Sequence, residues 1–105
     1  MLKVKTAALL ATGLVVMMGS TVFAADGKAL YTAKGCMACH GMDAKTPIMP
    51  LYPKIAGQSK EYSAQQMKDI KSGKRNNGQS AAMKGIMASV SEEEITALSE
   101  YLSGL

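Results

Sequence analysis

The chain has 105 residues, 48% of them hydrophobic and 19% charged, with 12 basic and 8 acidic residues and a formal net charge of +4. That balance is too mild for a nucleic-acid-binding protein, and a chain this short forms one small domain whose core is hard to complete without a disulfide, a metal or a cofactor.

The first segment reads as a leader rather than as part of the fold. Lys3 and Lys5 open it, an apolar run from Ala7 to Met18 follows, and Val22-Phe23-Ala24 supplies the small residues of a cleavage site. The apolar run is shorter than the roughly 18 to 20 residues that span a bilayer, so residues 1–24 are expected to be a signal peptide removed after Ala24. Residues 25–105 are then the domain, exported and with no membrane span. Loss of Lys3 and Lys5 leaves 10 basic against 8 acidic residues, a net charge of +2.

Along that domain Asp26 is placed to cap a short helix ending near Lys34, with Gly27, Leu30, Tyr31 and Lys34 at helical spacing. Gly35-Cys36-Met37-Ala38-Cys39-His40-Gly41 comes next. From Met42 to Gln58 no periodicity is sustained, and Pro47, Pro50 and Pro53 predict an extended loop. A second helix is expected from Ser59 through Tyr62, Gln66, Met67 and Ile70 to a stop at Gly73. The stretch from Lys74 to Ser80 is polar, with a turn at Asn76-Asn77-Gly78. The last helix is the clearest: Ser91 and Glu94 form a capping box, Glu92 to Glu94 complement the helix dipole, and Ile95, Leu98, Tyr101 and Leu102 make an apolar stripe. No strand pattern competes, so the fold class is all-α.

Cys36-Met37-Ala38-Cys39-His40 fits C-x-x-C-H, the attachment pattern of a c-type haem. Two thiols at this spacing can form thioethers with the two vinyl groups of one haem, and the adjacent His40 is then held beneath the iron as a ligand. A structural zinc site needs more ligands than two cysteines and a single histidine. A thioredoxin-like dithiol needs a βαβ context, and a Cys36–Cys39 disulfide would close too small a loop to stabilise much. With His40 as the lone histidine, acid–base or nucleophilic catalysis through a free imidazole has no candidate, and the chain is not expected to be an enzyme.

The order of haem motif, proline-containing loop and C-terminal helix resembles the class I cytochrome c family. The likeness is greatest to small monohaem periplasmic members and to one half of the dihaem bacterial cytochromes, through Tyr52-Pro53-Lys54-Ile55-Ala56-Gly57-Gln58 and Ser91-Glu92-Glu93-Glu94-Ile95. The resemblance implies three main helices around one covalent haem c and its iron. It also implies a respiratory electron carrier, monomeric, that meets a donor reductase or dehydrogenase and an acceptor oxidase or reductase transiently at the haem edge. Gly27 and Tyr31 would pack against the last helix at Leu98 and Tyr101. The Pro53 carbonyl would accept the Nδ1 proton of His40, where the plainer reading is a proline that stiffens its loop.

Nine methionines are present, three of them in the leader, leaving Met37, Met42, Met49, Met67, Met83 and Met87. Counted back from Ser91, the family's distal ligand falls at Met83, with Met87 as the alternative. Asn76, Asn77 and Gln79 precede it as possible hydrogen-bond donors or solvated loop residues. Lys54, Lys60, Lys68, Lys71, Lys74, Arg75 and Lys84 are candidates to ring the haem edge and steer a partner, or simply to solvate the surface. Two other functions remain open: a haem enzyme or ligand sensor with an open sixth position, and a haem subunit of a larger respiratory complex.

Overall fold

The computed structural model describes residues 25–105; the expected leader lies outside the described residues. Five helices follow in order: α1 Gly27–Ala33, α2 Met37–His40, α3 Lys60–Ser72, α4 Ser80–Met87 and α5 Glu92–Ser103. The described residues contain no strand, and none of their helices is long and apolar enough to cross a membrane. Helix α5 is the hub, packed on both α1 and α3, and α4 lies on α3.

The helices start and stop where side chains satisfy their end groups. The Asp26 carboxylate accepts from the Lys28 and Ala29 amides at 3.0 and 3.3 Å, which sets the start of α1. Ser59 Oγ accepts from the Tyr62 amide at the head of α3. Gly73, at φ +84°, ends that helix in the left-handed region and donates its amide to the Ile70 carbonyl. At the head of α5 the box is complete: the Glu94 amide reaches Ser91 Oγ at 3.2 Å and the Ser91 amide reaches Glu94 Oε1 at 2.9 Å.

The crossing of α1 and α5 depends on Gly27. A Cβ there would overlap the Ala97 carbonyl oxygen and lie 2.6 Å from Tyr101 Cβ, so only glycine lets the two backbones meet. One turn on, the Tyr31 and Tyr101 rings sit 5.8 Å apart, tilted by 53°. Around this crossing Tyr31, Met67, Ile70, Met87, Val90, Ile95, Leu98 and Leu102 form one buried cluster.

Two segments depart from the sequence reading. The stretch after Ser80 carries no helix signal in its sequence, yet it forms α4, with Ser80 and Met87 buried and Met83 half-buried on one face. Eight residues with Gly85 in their last turn make a poor helix in isolation, and packing on α3 supplies what local preference does not. The loop after His40 is also not extended. Asp43 Oδ1 accepts from the Lys45 and Thr46 amides, both at 2.9 Å, in an Asx turn, and the buried Ala44 takes φ +59°. The Ala44 carbonyl then accepts from the Ile55 and Ala56 amides, and the Cys39 carbonyl from the Ile48 amide, so the loop folds back on itself. Prolines remove donors only at their own positions; amides before, between and after them close the loop.

Candidate functional site

The site begins at the single helical turn of α2. Gly35, at φ +76°, turns the chain after α1, and the Cys36 amide returns to the Tyr31 carbonyl at 3.1 Å. The His40 amide then bonds the Cys36 carbonyl at 3.0 Å, which brings Cys36, Cys39 and His40 together on the wall of one cavity. The thiols are not bonded to each other and are half-buried. Burial pushes the Cys36 thiol above its ordinary range, so it is a neutral S–H at pH 7.

His40 is 7% exposed, and its Nδ1 lies 2.9 Å from the Pro53 carbonyl oxygen. A carbonyl only accepts, so Nδ1 carries the proton, and Nε2 is the nitrogen whose lone pair is left for a metal. The loop that delivers Pro53 is anchored at its origin by Tyr31, whose buried hydroxyl donates to the Gly41 carbonyl. Burial pushes the Tyr31 hydroxyl up to about 12, so it remains a donor through the physiological range.

The cavity has a volume of about 400 Å³. Its walls are mostly apolar: Leu51, Tyr52 and Ile55 from the loop, Tyr62, Met67 and Ile70 from α3, Ala82, Met83, Ile86 and Met87 from α4, and Leu98 and Leu102 from α5. Arg75, Asn77 and Gln79 add a polar edge, and Asn76 does not reach the cavity. Of the six methionines only Met67, Met83 and Met87 line it. Met37 packs against the core instead, and Met42 and Met49 are exposed, at 82% and 44%.

Most of these basic residues do not line the cavity. Arg75 alone of the seven lines the cavity, held at 3.0 Å by Gln66 Oε1. Lys60 pairs with Glu100 at 2.8 Å on α5, and Lys71 donates to the Val90 carbonyl. Lys54, Lys68, Lys74 and Lys84 do not line the cavity either. Sequence reasoning also missed the Gln66–Arg75 pair and the Tyr31 hydroxyl bond, neither of which has a local signature.

A buried imidazole with one free nitrogen, two free thiols at C-x-x-C spacing, and an apolar slot with a polar edge together fit a haem. The fold and site thus define a small all-α protein built around a covalently attached haem. A family profile described as Cytochrome c matches residues 24–105. Cytochrome c4 of Pseudomonas aeruginosa is 36% identical over 101 residues, covering 96% of this chain and 47% of the relative. Cytochrome c-553 of Nitratidesulfovibrio vulgaris is 33% identical over 86 residues, covering 82% of each chain. The crystal structure of reduced recombinant cytochrome c4 from Pseudomonas stutzeri superposes with a TM-score of 0.66 at 33% identity, covering 75% of this chain and 46% of that one. The chain belongs to the cytochrome c family, and haem c is its prosthetic group. It spans about half the length of the cytochrome c4 relatives it matches.

Proposed function

We propose that this chain is a periplasmic electron carrier whose haem iron is held between His40 and Met83. The observation that carries this reading is the single cavity that His40 of α2 shares with the methionine face of α4. Bound haem supplies reversible one-electron chemistry at its iron, and His/Met ligation raises its reduction potential.

The chain's own residues hold and tune that group. Cys36 and Cys39 carry it through thioethers, so it is not lost on reduction or dilution. His40 would ligate through Nε2, with the Pro53 carbonyl fixing the ring and raising its basicity through Nδ1. Of the two methionines on the inner face of α4, Met87 is 2% exposed and belongs to the buried core, whereas Met83 is half-buried on the cavity wall. Met83 therefore retains free side-chain surface toward the site, and Met87 packs beside it. The mostly apolar wall would place few polar protein groups against the haem.

An iron held by both His40 and Met83 would leave no position open to an exogenous ligand, which separates a carrier from a haem enzyme or ligand sensor. The oxidised spectrum of a His/Met haem carries a weak red band from the methionine–iron bond. Wild type is expected to show it, Met87→Ala to keep it and Met83→Ala to lose it. Its loss in Met87→Ala alone moves the assignment to Met87, and its absence from wild type with ready carbon monoxide binding sinks the carrier reading. Export and cleavage after Ala24 are tested by intact mass of the periplasmic protein, which should equal residues 25–105 plus one haem. Donor and acceptor, a reductase or dehydrogenase and an oxidase or reductase, would meet the monomer transiently at the haem edge; salt-resistant co-purification with either would make the chain a subunit of a complex.

A further inference from the structure

The junction between α4 and α5 is pinned by two cations from two other helices. Lys34, at the C-terminal end of α1, donates to the Ser89 carbonyl at 2.7 Å and lies 3.5 Å from the Glu94 carboxylate. Lys71, in the last turn of α3, donates to the carbonyl of the next residue, Val90. The two bonds approach adjacent peptide units from separate helices. Both carbonyls lie at the negative end of α4, where a cation is favoured, and the hydrogen bonds are charge-assisted.

What they hold is the end of the methionine-bearing helix. The Ala88, Ser89 and Val90 amides bond to the Lys84, Ile86 and Met87 carbonyls, so fixing Ser89 and Val90 fixes the last turn of α4. Beyond this point Ser91 turns the chain into α5, and Glu94, which closes that cap, is the same residue that faces Lys34. An eight-residue helix has little stability of its own, so its seat over the cavity rests on packing and on these two ties.

We infer that Lys34 and Lys71 are positioning residues for the distal methionine, holding α4 against the cavity so that exogenous ligands do not displace it from the iron. The inference rests on the proposal that a methionine of α4 is the distal ligand, and it holds for Met83 or Met87 alike. It also gives Lys71 a role inside the molecule in place of partner docking.

The test is imidazole titration of the haem-loaded protein, read by loss of the red band, for wild type, Lys34→Met, Lys71→Met and Lys71→Arg. Removing a charge-assisted tie is expected to tighten imidazole binding on the order of tenfold in Lys71→Met. Lys34→Met shifts it in the same direction, and Lys71→Arg, which keeps a cationic donor, stays near wild type. Lys60→Met, which loses the Lys60–Glu100 pair but touches no part of α4, controls for general destabilisation. Unchanged imidazole affinity in both methionine variants overturns the inference, as does an equal change in Lys60→Met. Hydrogen exchange of the Ala88, Ser89 and Val90 amides gives a second readout, expected to quicken several-fold in Lys71→Met while α5 is unaffected. If wild type lacks the red band, methionine ligation fails separately, and unchanged exchange then overturns the clamp itself.

Discussion

At the scale of single residues, a short local motif supplies the reactive groups and distant residues decide how they are held. His40 is aimed by a carbonyl thirteen positions away, and the loop carrying that carbonyl is tied down by a hydroxyl ten positions before its own start. Tyr31→Phe keeps the ring against Tyr101 but leaves the buried Gly41 carbonyl without that donor. It is expected to lower stability by roughly 1 to 3 kcal/mol, measured by denaturant titration of the haem-loaded protein. The same hydroxyl gives a pH signature. Its folded value of about 12 stands above the ordinary 10.0, so the native state keeps a proton that the unfolded state releases earlier. Stability tied to Tyr31 is therefore full below pH 10 and is lost as the pH rises toward 12. Ultraviolet titration should show a late-ionising tyrosine that Tyr31→Phe removes; a titration with no such component contradicts the buried hydroxyl bond.

At the scale of elements, α5 is specified twice, by its cap and by its partner. Ser91→Ala removes the oxygen that holds the Glu94 amide and is expected to cost about 1 kcal/mol, read as a lower thermal midpoint. The bond from the Ser91 amide, with Lys34 nearby, holds the Glu94 carboxyl below its usual range. A carboxylate lowered on folding contributes stability above its unfolded value and loses it as the pH falls into the acid range. Glu94→Gln should flatten that part of the acid-unfolding profile; an unchanged profile would show that the box carries no charge-dependent share. The α1 contact makes a steric demand instead. Gly27→Ala places a methyl group on the Ala97 carbonyl and Tyr101, and the expected loss is about 1 to 3 kcal/mol with the α1–α5 contact loosened. Full wild-type stability in this variant would mean that the helices can separate without cost.

At the scale of the whole molecule, the buried cluster and the cavity share their residues. Tyr31, Met67, Ile70, Met87, Val90, Leu98 and Leu102 belong to both, so the haem face and the protein core are one surface. A domain of about 80 residues has little apolar surface to spare, and a covalent group counted into the core stabilises only the folded chain. The double variant Cys36→Ser, Cys39→Ser is expected to lack covalent haem by intact mass and to lose cooperative thermal unfolding by circular dichroism. A sharp transition without haem would show that the polypeptide completes its core alone.

Much of this molecule is legible before any coordinates. The haem motif is read from covalent spacing, and Asp26, Ser59, Gly73 and the Ser91–Glu94 box mark helix ends because a cap is a bond between residues two to four apart. The packing of Gly27 on the last helix was legible only through family resemblance. What required the tertiary structure is of another kind. Helix α4 exists because it lies on α3, since its own residues make a weak helix. Which three of six methionines line the cavity, and whether a lysine faces a partner or ties down the α4–α5 junction, depend on where separate helices cross. The spacing of neighbours along a chain is set by covalent geometry and can be read directly; contacts between distant segments are set by the packing of whole helices, and only the assembled fold decides them.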